Sequence, residues 1–87
     1  MTFDVLVEVR LKQGVADPPG ATLERALPAL GFGGVSGVRV GKAIRMSVDA
    51  TDQAEAEALV AAMCDRLLAN PVIEETVINV AEAVAAQ

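Results

Sequence analysis

The sequence predicts one α+β domain over residues 1–87, in the ferredoxin-like order β-α-β-β-α-β. That order makes a four-stranded antiparallel sheet with two helices on one face, and here the sheet is expected to mediate self-association. Three observations lead to this. Val35–Asp49 reads as a hairpin: Val38 and Val40 alternate with polar neighbours before Gly41-Lys42, and Ile44, Met46 and Val48 alternate after it. One further strand and one further helix flank the hairpin on each side. Finally, 53% of only 87 residues are apolar. That is more than one small core covers, so part of it is expected between subunits.

Residues 2–12 form the first strand. Phe3, Val5, Val7, Val9 and Leu11 share one face, and Asp4, Glu8, Arg10 and Lys12 share the other, with Leu6 the apolar exception. Such alternation belongs to a sheet with one buried face. After the loop 13–20, Asp17 is placed to cap a helix over about Gly20–Leu30, with proline tolerated in its first turn. Leu23, Ala26, Leu27 and Leu30 fall at helical spacing and are expected to be buried. Pro28 should kink or shorten that helix, and Gly31 should stop it. Phe32 is expected in the core or at an interface.

The hairpin turn at Gly41-Lys42 puts glycine where a positive φ costs little. Asp52, with Glu55 three residues on, resembles a capping box opening a second helix that runs to about Ala69. Its expected stripe is Ala56, Leu59, Val60, Met63 and Leu67. Asn70-Pro71 stops it. Residues 72–80 are the last strand, and the interruption by Glu74, Glu75 and Thr76 predicts a bulge or register change. The tail 81–87 extends the strand or adds a frayed turn.

Composition excludes several functions. A net charge of −5, with seven Lys and Arg scattered along the chain, supplies no basic stripe for nucleic acid. No apolar run approaches the ~20 residues of a membrane span. A single cysteine and no visible signal peptide fit the cytoplasm. The zero histidine count removes histidine-dependent nucleophile systems, imidazole metal ligands and imidazole acid–base catalysis.

The residues left are poor in chemistry. The glycines Gly31, Gly33, Gly34, Gly37 and Gly41 with Lys42 miss phosphate-loop spacing, and Ala43 stands where Ser or Thr is required. Cys64 lacks a base to form thiolate and reads as a packing thiol. Asp49, Asp52, Glu55, Glu57, Glu74 and Glu75 lack calcium-loop spacing. No catalytic, cofactor or metal residue is therefore assigned. Arg39, Lys42 and Arg45 are placed either to meet an acidic partner surface or simply to keep the sheet edge soluble.

Three segments carry a family resemblance: D-P-x-G at Asp17–Gly20, V-x-x-V-R-V-G-K at Val35–Lys42, and M-C-D-R-L-L-A-N-P-V-I-E at Met63–Glu74. In order, spacing and overall length, the chain resembles the PurS subunit of phosphoribosylformylglycinamidine synthase. The resemblance implies a non-catalytic subunit joining the ATP-dependent synthetase subunit PurL to the glutaminase PurQ in purine biosynthesis. That assembly converts formylglycinamide ribonucleotide, glutamine and ATP to formylglycinamidine ribonucleotide, glutamate, ADP and phosphate. ATP and Mg are then expected in the partner synthetase, and this subunit is expected to aid ammonia transfer and to form dimers or tetramers. Arg39, Gly41, Lys42, Asn70, Pro71 and Glu74 lie in these segments and are the partner-contact candidates. Two other readings predict different behaviour. A metabolite-binding regulatory module of the ACT type would bind an amino acid as a dimer. A free-standing enzyme using carboxylates or Lys42 would turn over alone.

Overall fold

A computed structural model of the chain describes residues 1–83. The elements are β1 (Thr2–Leu11), α1 (Pro18–Ala29), β2 (Lys42–Asp49), α2 (Gln53–Met63), a π-helical turn Cys64–Leu68, and β3 (Glu74–Glu82). Among the described residues there are three strands, in the order β2-β1-β3, with both outer strands antiparallel to β1.

The core follows from the alternation in β1. Phe3, Val5, Val7 and Val9 all face α2 and are buried. Val7 is opposite Ile44 on one side and Ile78 on the other. From above, Val60 and Cys64 close onto Val5, Val7, Val9 and Val48, while Ala56 and Ala50 close onto Phe3. Burying a side chain such as Val7 is worth about 1.5–3 kcal/mol.

The expected hairpin is half present. Its second arm is β2, but Val35–Gly41 is not a strand. Gly34 and Gly37 have φ of 79° and 69°, which break a pleated run. The N–H groups that a ladder would use are already taken, Val38 N by Glu24 and Val40 N by Asp17. Gly41 has no positive φ; it is glycine because a Cβ there would lie 2.6 Å from the Val9 carbonyl oxygen.

The two-helix layer is also corrected. Among the described residues only α2 packs on the sheet; α1 makes no comparable packing with the sheet or α2. Its expected buried stripe is open: Leu23 and Ala26 are exposed, Leu27 half-buried, and Leu30 is 72% exposed, with Phe32 beyond it at 59%. Helix α1 thus forms an arm. The radius of gyration is 16.7 Å, against ~12 Å for a compact chain of this length. Pro18 and Pro19 occupy the first helical positions, and Pro28 falls one residue before the end, where Gly31 takes φ 98°. The helix therefore runs through Pro28 and ends at Ala29, one residue before the expected Leu30.

Helix α2 opens as expected, with Asp52 accepting from Glu55 N at 2.8 Å. Glu55 reaches one residue further back than a standard capping box, accepting from Thr51 N at 3.0 Å. The α-helical stripe holds through Ala56, Val60 and Met63 and then slips. A π-type bond from Ala69 N to Cys64 O, 3.1 Å, adds a residue to the turn. Cys64 is buried and Leu68 half-buried, while Leu67 is 84% exposed; Leu59 is also exposed.

The last strand begins two residues later than expected and runs in unbroken register from Leu11↔Glu74 to Phe3↔Glu82. No bulge or register change occurs, because starting at Glu74 puts Thr76, Ile78 and Val80 on the inner face. Of the tail, Ala81 and Glu82 extend the strand; residues 84–87 lie outside the described ones.

Candidate interaction surface

Sheet alternation leaves an outer face that nothing in the described chain covers. It carries Leu6 and Glu8 of β1, Ala43 and Arg45 of β2, and Val77, Asn79 and Ala81 of β3, with Leu6 opposite both Arg45 and Asn79. A shallow hollow of about 750 Å³ lies over its centre. The apolar stripe of α1 is a second uncovered surface. Leu67 and Val72, 84% and 78% exposed, make a third beside the turn into β3.

The contact candidates read from the sequence gather at one end of the sheet, where β1 finishes. Arg39, Gly41 and Lys42 lie on the β2 side, along an open groove of about 690 Å³ that also includes Glu8, Arg10 and Glu75. Arg10 is paired with Glu8 at 2.9 Å, so the groove carries both signs of charge. Asn70, Pro71 and Glu74 lie on the β3 side. There Glu74 accepts from Asn70 N at 2.7 Å, and the Asn70 side chain accepts from Val72 N at 3.0 Å. Part of each side chain is thus used in shaping this turn.

Lys12 links the two groups. Its Nζ donates to the Pro71 carbonyl at 2.7 Å, its N–H donates to Ile73 O at 2.8 Å, and its carbonyl faces the Arg39 guanidinium at 3.5 Å. Sequence reasoning missed this, because a lysine ending a strand reads as an ordinary solvated charge.

It also missed the full part played by Asp17. One carboxylate oxygen caps α1 by accepting from Gly20 N at 3.0 Å; the other accepts from Val40 N at 2.9 Å. Arg39 Nε stands 3.8 Å away, and the Asp17 side chain is only 5% exposed. The Val40 and Gly20 N–H groups, in that order, hold its carboxyl below the ordinary 3.8, with Arg39 adding to them against the opposing effect of burial. Arg39 also reaches the Val15 carbonyl at 3.4 Å.

The remaining acidic residues are dispersed. Asp49 accepts from Thr2 Oγ1, and Asp52 and Glu55 cap α2. Among the described residues no three Asp, Glu, Cys or His side chains converge as a metal site would require. Cys64 is buried against the valines of β1, which suits a packing thiol. No described helix is long and apolar enough to cross a membrane.

Comparison with known proteins adds a direct line of evidence. Residues 4–82 match the sequence model of the family described as PurS: phosphoribosylformylglycinamidine (FGAM) synthase. The chain is 47% identical over 75 residues to the phosphoribosylformylglycinamidine synthase subunit PurS of Archaeoglobus fulgidus, covering 86% of this chain and 91% of that one. Among solved structures it is similar to Methanocaldococcus jannaschii PurS, a subunit of formylglycinamide ribonucleotide amidotransferase, with TM-score 0.85 and 36% identity over 94% and 99% of the two chains. It is equally similar to a chain of PurLQS from Thermotoga maritima, with TM-score 0.87 and 33% identity over 93% and 99%.

Proposed function

The chain belongs to the PurS family, and from that premise we propose that it is the bridging subunit of phosphoribosylformylglycinamidine synthase in purine biosynthesis. Its partners are the synthetase PurL and the glutaminase PurQ. The observation that carries this reading is the close likeness, over nearly the full length of both chains, to a component of a PurL–PurQ–PurS assembly.

The physical reading agrees. Glutamine hydrolysis needs an activated nucleophile, and ATP chemistry needs a phosphate and Mg site. The one thiol here is buried among valines, and the glycine-lysine pair opens a strand. On this reading the isolated chain is inactive, and ATP, Mg and both chemical steps belong to the partners. What this chain supplies is surface. The ammonia released by the glutaminase must reach the synthetase without being lost to water, which requires the two larger subunits to be held in fixed register.

Self-association fits the same picture. The bare sheet face and the open stripe of α1 are the surplus apolar surface anticipated from composition, and a second copy is the simplest cover for it. Arg39 and Lys42, beside Gly41, are proposed to meet acidic groups of a larger subunit, and the turn Asn70–Glu74, including Pro71, to lie against it. The cytoplasm is the proposed location.

Reconstitution tests the function. With PurL and PurQ present, glutamine-dependent formation of the amidine product should require this protein. Equal rates with and without it would overturn the reading.

A further inference from the structure

Among the described residues helix α1 has no packing on the sheet comparable to that of α2, so something at its base must set its direction. The base is built from backbone held by carboxylates. Asp17 accepts from Gly20 N at 3.0 Å and Val40 N at 2.9 Å, and Glu24 accepts from Val38 N at 2.8 Å. The two side chains, one capping α1 and the other two turns further along it, grip alternate amides of one segment. Gly20 is buried between them, where an added Cβ would lie 2.6 Å from both the Val38 carbonyl oxygen and the Asp17 carboxylate. Arg39, between the two gripped amides, reaches back to the carbonyls of Lys12 and Val15 and so ties the base to the end of β1.

We propose that Asp17 and Glu24 are positioning residues for self-association. By clamping residues 38–40 to the first turns of α1 they fix the angle at which the arm projects, and hence where Leu23, Leu27, Leu30 and Phe32 meet a second copy of the chain. The inference rests on the self-association reading above and adds the residues that govern it. Its physical basis is pre-organisation. A hinged arm would lose its freedom on docking and weaken association by that amount, whereas a clamped arm has lost it already on folding. Asp17 is suited to the task because the same two amides that it grips keep it ionised, and an ionised carboxylate has acceptors for both.

The test separates clamping from capping. The carboxamide introduced by Asp17→Asn would still cap α1, since Asn and Asp are comparable caps. With a single acceptor oxygen, however, it serves Gly20 N or Val40 N and not both. Glu24→Ala removes the acceptor of Val38 N altogether while keeping a good helix former in α1. Amide hydrogen exchange at Gly20, Val38 and Val40 should be measured together with the dimer dissociation constant from sedimentation equilibrium, for each single variant and for the double variant. The expected result is faster exchange at Val38 and Val40, an unchanged circular dichroism spectrum, and a dissociation constant raised by at least about tenfold in the double variant. The single Asp17→Asn change should give a smaller rise. Faster exchange with a dissociation constant within about twofold of wild type would overturn the proposal, as would unchanged exchange at both amides. Leu30→Ser keeps the clamp and tests the stripe alone. If it leaves the dissociation constant unaltered while the clamp variants raise it, the stripe is not the surface being aimed and the proposal fails in that form. A wild-type protein that stays monomeric would instead remove the self-association reading on which it rests.

Discussion

Gly41 passes so close to Val9 that a side chain of one carbon would put its Cβ 2.6 Å from the Val9 carbonyl oxygen. Both sides of that contact are backbone, and Val9 is anchored in the central strand. Gly41→Ala should therefore destabilise by about 1–3 kcal/mol, read as a lower midpoint in urea with unchanged slope. Gly33→Ala is the control: its Cβ meets nothing within 4 Å and its φ is not positive. It should be neutral or stabilising by up to about 1 kcal/mol.

Val7 is fully buried between Ile44 and Ile78 beneath α2. Val7→Ala removes two carbons and leaves a void in the fully buried face of the sheet, so equilibrium unfolding should show a loss of about 2–3 kcal/mol.

Asp17 gives the acid limb of stability a defined origin. Its carboxyl lies below the ordinary 3.8 in the folded chain, so the unfolded chain takes up this proton first as pH falls. Its contribution is complete above about pH 4, and it is lost as the pH drops through the folded value. Thermal melts of wild type and Asp17→Asn should differ most above about pH 4 and converge as the pH falls through the folded carboxyl's lowered value, because the two amides stabilise its charged form.

Leu30 and Phe32 are exposed at the tip of the arm. Replacing both with Ser should leave the unfolding free energy of the monomeric body within about 0.5 kcal/mol. It should weaken self-association by at least about tenfold, measured by light scattering across a dilution series.

Arg39 and Lys42 line the groove at the end of the sheet. Charge reversal at both, Arg39→Glu with Lys42→Glu, should slow association with the larger subunits and lower amidine formation at limiting concentrations of this chain. Surface plasmon resonance against PurL, and separately PurQ, identifies which subunit they face. Wild-type binding to both would remove these two positions from the interface.

Much of the fold was legible because it rests on period. The alternation in β1, the helical spacing of Ala56, Val60 and Met63, and the caps at Asp17 and Asp52 are local signals, and each has its expected place. What was not legible depends on partners far along the chain. Val35–Val40 alternates as a strand does, yet its amides are taken by carboxylates from Asp17 and Glu24, and a backbone amide leaves no mark in a sequence. The stripe of α1 has helical period but no cover within the described chain, since periodicity records that a face is apolar and not what lies against it. The slip from Leu67 to Leu68 comes from one extra residue in a turn, which an α-helical template cannot anticipate. Of the candidate surface, the segments were visible through family likeness, whereas Lys12, which ties them together, was hidden among surface charges.

The order β2-β1-β3 also governs how the molecule comes into being. The middle strand is synthesised before either neighbour, and Phe3 cannot find Glu82 until almost everything between them has left the ribosome. Pairings over such long stretches make for slow folding relative to size. Until they form, Val5, Val7 and Val9 stand bare in a nascent chain, an interval in which holding chaperones have something to grasp.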